Sequence, residues 1–185
     1  MDRLIAITTL MKEKGYKNYL EIGVSNGHIF FRIKTDFKIA VDPDFQFDML
    51  LRMGKAIMNP YNLYNKYYEI TSDEFFEKHS DAVIGNRKID LAFVDGMHEY
   101  DFALRDIENS LKYLGDDGVI IVHDCNPLTK NAARPFKEFK GGAEVPVKQV
   151  KLCTFHQLRR PCPVSSLAEF VCHKEHTLGK IEGRR

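Results

Sequence analysis

An α/β fold with a mostly parallel sheet is predicted by two features of this sequence. Short apolar runs rich in β-branched and aromatic residues alternate with stretches of helical periodicity, the pattern of strands joined by helical crossovers. Each run also stops at a Gly, Asp, Ser or His, so polar residues gather at one set of strand ends. The strand-like runs are residues 19–22, 39–41, 67–70, 89–94 and 119–122. Residues 4–14, a short segment from His28, and residues 48–58, 73–79 and 100–114 read as helices. In the last of these Phe102, Ile107, Leu111 and Leu114 recur near helical spacing, and Gly115-Asp116-Asp117-Gly118 predicts a turn that stops it. Further on, residues 144–159 read as a helix ended before Pro161, and 167–172 with 178–182 as an antiparallel strand pair.

The chain has 185 residues, 44% hydrophobic and 29% charged, without repeats or low-complexity tracts, so a single domain over residues 1–185 is expected. Its 27 basic and 26 acidic side chains are unevenly spread. Residues 1–126 hold 15 basic and 21 acidic groups, and residues 127–185 hold 12 and 5. The basic end is either suited to an anionic partner or a solvated face. Nothing approaches the roughly 20 apolar residues of a bilayer span, and the first ten residues lack an apolar export core. A cytoplasmic protein without membrane contact, its four cysteines reduced, is expected. Ile181-Glu182-Gly183-Arg184 matches a protease-cleavage tag, although the apolar alternation leading into it favours a native strand.

In an open parallel sheet, ligands bind beyond the carboxyl ends of the strands, where strand order reverses. Glu21-Ile22-Gly23-Val24-Ser25-Asn26-Gly27 closes the first strand there. Its glycines allow a tight turn and close approach, and free N–H groups beyond it favour an anionic end of a ligand. The spacing departs from the Gly-x-Gly-x-x-Gly of a pyrophosphate cradle. Asp42, about 20 residues after Glu21 at the end of the second strand, is placed to accept ribose hydroxyls, with Asp44 as its competitor. After the third strand, Ser72 or Asp73 is placed to cap a helix, and an adenine contact from the same loop is compatible with that.

With these segments, Val94-Asp95-Gly96-Met97-His98-Glu99-Tyr100 and Val122-His123-Asp124-Cys125-Asn126-Pro127 complete a set covering about residues 16 to 127. In their order and spacing the sequence resembles class I S-adenosylmethionine-dependent methyltransferases, within them the small sugar and macrolide O-methyltransferases. The resemblance implies a Rossmann-like three-layer α/β/α sandwich with a seven-stranded sheet, its last strand antiparallel. It also implies Glu21, Gly23, Ser25 and Gly27 around the methionine end of the cofactor, Asp42 on the ribose, Ser72 and Asp73 near adenine. Ser25 stands where many relatives have glycine, and the chain from Leu128 onward matches poorly. A side chain at Gly23 is expected to fill ligand space, so Gly23→Val should lose the cofactor while leaving the fold near native.

Asp95 and Asp124 close strands expected to be neighbours about 4.8 Å apart. At about 5 Å and an effective dielectric near 20, two facing carboxylates repel by roughly 3 kcal/mol. A divalent ion would relieve this, and Asp95, Asp124 and Asn126 offer the oxygen ligands that Mg²⁺ prefers. The alternative is carboxylates that cap helices or hold a histidine. His98, oriented by Asp95, and His123 are the candidate bases for a hydroxyl proton, each with a structural histidine as the plainer reading. Cys162, Cys172, His173 and His176 have the wrong spacing for zinc, and Asp124 would raise rather than lower the pKa of Cys125. Tyr61, Tyr64, Tyr67 and Tyr68 read as core and rim rather than a nucleic-acid platform. The expected partner is a small molecule, a sugar or an anion, and a homo-oligomer is compatible. The rival readings are an NAD-dependent oxidoreductase and a non-catalytic cofactor-binding module of the same fold.

Overall fold

The computed structural model describes residues 3–97, 99–123 and 150–153. Their strands form one sheet in the order β3-β2-β1-β4-β5-β6: β1 (Asn18–Ile22), β2 (Phe37–Val41), β3 (Lys66–Tyr68), β4 (Ile89–Val94), β5 (Leu114–His123) and β6 (Val150–Cys153). The first five are parallel, and β6 runs antiparallel to β5. Helices α1 (Arg3–Lys14), α2 (Met49–Met58), α3 (Ser72–Lys78), α4 (Ser80–Val83) and α5 (Tyr100–Tyr113) complete a Rossmann-like fold.

The central strands read as continuous apolar runs because both faces are covered. Alternation divides their side chains between two cores. Leu20, Ile22, Ile39, Val41, Ala92, Val94, Ile120 and Val122 share one core with Phe75 and Phe76 of α3 and Ile107 of α5. Tyr19, Ala40, Leu91, Phe93, Val119 and Ile121 share the other with Ile7 and Met11 of α1 and the rings of Phe30, Phe31, Phe45 and Phe47.

In this second layer sits a fully buried lysine. Lys38 lies between Phe37 and Ile39 on β2, is 1% exposed, and donates from Nζ to the carbonyls of Phe30 (3.1 Å) and Ile33 (2.9 Å) and to Asn62 Oδ1 (2.5 Å). It thereby fastens the Phe30–Arg32 turn to the sheet. Arg52 does a related job for α2, a helix with no buried residue, by laying its guanidinium over Tyr67 (4.5 Å), Phe45 (5.0 Å) and Phe47 (5.2 Å). Met49, Leu50, Met53, Ile57 and Met58 of α2 stay exposed.

Several sequence expectations change. The short helical segment expected from His28 is a single 3-10 turn, Phe30–Arg32, with Phe30 and Phe31 both buried. β3 stops at Tyr68 because its partner strand ends at Val41, and the Asp42 N–H closes the pairing on the Tyr68 carbonyl at 3.1 Å. β5 begins at Leu114, so no separate turn follows α5. Residues 115–118 are absorbed as an irregularity, since Ile89 pairs with Leu114 but Leu91 with Val119. Within the helix expected over 144–159, Val150–Cys153 instead form β6, where the free edge of β5 supplies unpaired backbone groups. The strands expected at 167–172 and 178–182, and with them a seventh strand, lie outside the described residues. No helix among the described residues is long and apolar enough to cross a membrane.

Candidate functional site

The backbone ladder runs one residue past the ends of three strands. Gly23 N–H donates to Val41 O (2.9 Å), Asp42 N–H to Tyr68 O (3.1 Å) and Asp95 N–H to Ile22 O (2.8 Å). Asp42, Gly23 and Asp95 therefore stand in one row at the carboxyl edge, and His123, the last residue of β5, extends it. Strand order reverses between β1 and β4, which puts the crevice expected of such a sheet at Gly23 and Asp95.

The turn after β1 is held from below. Gly23 and Gly27 have φ of 81° and 72°, and Ser25 shares this left-handed region at 48°. A Cβ on Gly23 would collide with the Asp95–Gly96 peptide, and one on Gly27 with the Phe31 ring at 2.3 Å. The Ser25 N–H donates to Asp42 Oδ2 (2.7 Å), the Asp44 N–H donates to Asp42 Oδ1 (2.8 Å), and the Gln46 N–H donates to Ser25 O (3.0 Å). Asp42 is thus the post on which both loops are hung, and each of its oxygens retains acceptor capacity for a ligand hydroxyl. Beside this turn opens a pocket of about 280 Å³ walled by Asn26, Gly27, Phe31, Arg32, Leu51 and Lys55, none of them an edge carboxylate.

Glu21 lies beneath the row, 2% exposed, and accepts a hydrogen bond from the Tyr19 hydroxyl at 2.6 Å. Burial raises its pKa from 4.5 to about 8, with Asp95 adding to the rise and Tyr19, Lys38 and Arg3 opposing it. Burial likewise lowers Lys38 from 10.5 to about 7, against an opposing pull from Glu21.

Asp95 is engaged on both oxygens. Arg3 Nη1, from α1, donates to Oδ2 at 2.5 Å, and His123 Nδ1 lies 2.9 Å from Oδ1. The His123 ring also stands edge-on to Phe93. Because Val94 pairs with Val122, the residue opposite Asp95 is His123. The expectation that Asp95 and Asp124 face each other falls on a residue, Asp124, that lies outside the described residues.

Thr71, rather than Ser72 or Asp73, caps α3, accepting the Glu74 N–H at 3.2 Å. Ser72 hydrogen-bonds instead to Asp106, a buried acid of α5 that burial lifts from 3.8 to about 6. Asp73 accepts a two-pronged pair from Arg105 at 3.1 and 3.3 Å. Both residues therefore join α3 to α5 next to the loop after β4, where a Cβ added to Gly96 would lie 3.5 Å from Asp106 Oδ2.

A family model described as a methyltransferase domain matches residues 20–125, from β1 to just past β5. The chain belongs to this family of methyltransferase domains. No curated protein matches it significantly. Among solved structures it is similar to a protein named as an O-methyltransferase from Klebsiella pneumoniae, at 14% identity and a TM-score of 0.54, covering 71% of this chain and 62% of that one. It is equally similar to the O-methyltransferase TomG of Streptomyces achromogenes, involved in tomaymycin synthesis and crystallised with S-adenosylmethionine, at 12% identity and a TM-score of 0.54 over the same shares. At such identities the likeness is one of fold, and the chain spans about 62% of the length of each.

In this methyltransferase domain the row of Asp42, Gly23 and Asp95 meets the chemistry of an adenosyl sulfonium. A carboxylate with spare lone pairs stands at the second strand end, and a glycine turn stands at the first. Of the residues expected to hold Mg²⁺, Asp95 is the one that is described. Asp124, Asn126 and His98 lie outside the described residues, and Asp95 already carries a guanidinium on one oxygen and an imidazole against the other. Among the described residues no group of three or more His, Cys, Asp or Glu is arranged to hold a metal. Reading the sequence missed Arg3, Thr71, Asp106 and Lys38. Only Lys38 left a signal, a charged residue in the middle of an apolar strand.

Proposed function

We propose that this domain is a cytoplasmic S-adenosylmethionine-dependent methyltransferase that methylates a hydroxyl of a small molecule, a sugar or an anionic compound. The observation that carries the reading is the single row of Asp42, Gly23, Asp95 and His123 at the point where strand order reverses. When bound, S-adenosylmethionine would supply a sulfonium methyl group, whose carbon bonds to the acceptor oxygen in line as its bond to sulfur breaks and S-adenosylhomocysteine leaves. Asp42 accepts the ribose hydroxyls while holding the Gly23–Gly27 turn, with Ser25 and Glu21 beneath the methionine end. Ser72 and Asp73 border the adenine side. His123, steadied by Asp95, takes the proton of the acceptor hydroxyl, and His98 is the second candidate base. Positioning and proton removal are what such a displacement asks of a protein. No step is assigned to Mg²⁺.

The deciding experiment is calorimetry with S-adenosylhomocysteine, with and without magnesium, set beside NAD. Binding of the homocysteine product, weakened at least tenfold in Asp42→Ala, is expected. Stabilisation by NAD with none from S-adenosylhomocysteine would overturn the reading in favour of an oxidoreductase. Binding with no transfer lost in Asp95→Ala or His123→Ala would favour a non-catalytic module.

A further inference from the structure

A carboxylate at the switch point of a site for a cationic ligand has two opposing effects. It attracts a sulfonium, and left alone it also repels the other acids around it. Here the neighbours are Glu21, whose pKa the Asp95 charge raises, and Asp42 at the next strand end on the other side of Gly23. The compensating charge comes from far along the chain. Arg3, in the first turn of α1, reaches across 92 positions to bond Asp95 Oδ2 at 2.5 Å, with side-chain exposures of 29% and 15% for the two partners. Partial burial makes such a pair less screened than one on the open surface.

We propose that Arg3 is the positioning and charge-setting residue of Asp95: its guanidinium occupies the carboxylate oxygen that a divalent ion would otherwise take, and so fixes how much negative charge the site shows to a sulfonium. Arg3 thereby orients Asp95 so that its second oxygen meets His123 Nδ1 at 2.9 Å. A guanidinium suits this place, since it stays charged at every working pH and its planar fork fixes the carboxylate plane. The inference rests on the methyltransferase reading of the same site.

The test compares the affinities of S-adenosylmethionine, which carries the sulfonium charge, and S-adenosylhomocysteine, which lacks it. Both are titrated calorimetrically into the wild-type chain and into Arg3→Lys, Arg3→Gln, Asp95→Asn and the Arg3→Gln/Asp95→Asn double variant. Removing Arg3 exposes the Asp95 charge, so Arg3→Gln should raise the preference for the charged ligand roughly fivefold, about 1 kcal/mol. Arg3→Lys should keep the wild-type ratio, Asp95→Asn should lower it, and the double variant should return near the start. A purely structural Arg3 would shift both ligands together and leave the ratio unmoved, and that result overturns the inference. If Arg3→Gln fails to fold, Asp95→Asn carries the test, and an unchanged ratio there overturns it equally. Binding of neither ligand by the wild type would instead bring down the methyltransferase reading itself, and this inference with it.

Discussion

A Cβ on Gly23 would lie 2.2 Å from the carbonyl oxygen of Asp95 and 2.6 Å from the Gly96 nitrogen. The space beside this glycine belongs to the β4 backbone, so the ends of β1 and β4 touch there without a side chain between them. Gly23→Val is therefore expected to disrupt the sheet edge by about 3 kcal/mol or more, through overpacking against backbone and a left-handed φ. This replaces the expectation of a near-native fold with selective ligand loss. Urea denaturation checks it: an unchanged midpoint would contradict the geometry. Gly15→Ala is the control. Its φ is 67° with nothing within 4 Å of the added carbon, and a loss of about 1 kcal/mol is expected.

Asp42 is expected to matter to stability as well as to binding. Asp42→Ala frees the Ser25 and Asp44 N–H groups. Losing two charge-assisted bonds should lower stability by about 2–4 kcal/mol. Asp42→Asn keeps one acceptor oxygen and should lose less. The melting temperature of each variant without ligand checks this, and equal values for Asp42→Ala and wild type would refute the bracing role.

Glu21 and Lys38 should give stability opposite pH slopes. Burial raises folded Glu21 to about 8 from the ordinary 4.5 of the unfolded chain, so the folded state keeps a proton that the unfolded chain releases. Stability from this group is complete below pH 4.5 and is lost as pH rises through 8. Folded Lys38 titrates at about 7 against 10.5. The unfolded chain then holds the extra proton between those values, and stability rises with pH across that window. Between pH 7 and 8, above the value of about 6 for Asp106, the two slopes oppose each other in wild type, and the urea midpoint of Glu21→Gln, which keeps only the Lys38 contribution, should rise more steeply with pH. Identical slopes would sink the assignment.

The two arginines on the helical faces should differ. Arg105 pairs with Asp73 where both are half exposed and solvent screens the pair, so Arg105→Ala should leave the melting temperature close to that of wild type. Arg52 instead lays its guanidinium over the aromatic cluster beneath α2, and Arg52→Ala should raise amide exchange along 49–58. Exchange rates in α2 that match wild type would show the helix to be held otherwise.

The sheet was legible because strands buried on both faces must be apolar throughout. The run at 89–94 coincides with β4, and those at 19–22 and 39–41 fall short only at their amino ends. The edges were less legible. β3 ends early because β2 offers no further partner, and β6 forms where β5 leaves an open edge, both being facts about neighbours rather than about local pattern. In the site, the glycine turn and Asp42 could be read from spacing. Arg3 could not, since nothing in the first helix announces a carboxylate 92 positions away. The Asp95–His123 pairing likewise depends on inter-strand register, which a β5 with an internal irregularity conceals.

Lys38 gives this protein an internal clock. Its amine is sealed by three acceptors under the Phe30 ring, so a reagent that modifies primary amines can reach it only after the layer built on Phe30 and Ile33 has lifted off the sheet. The lag between labelling of the surface lysines and labelling of this one would time that opening directly.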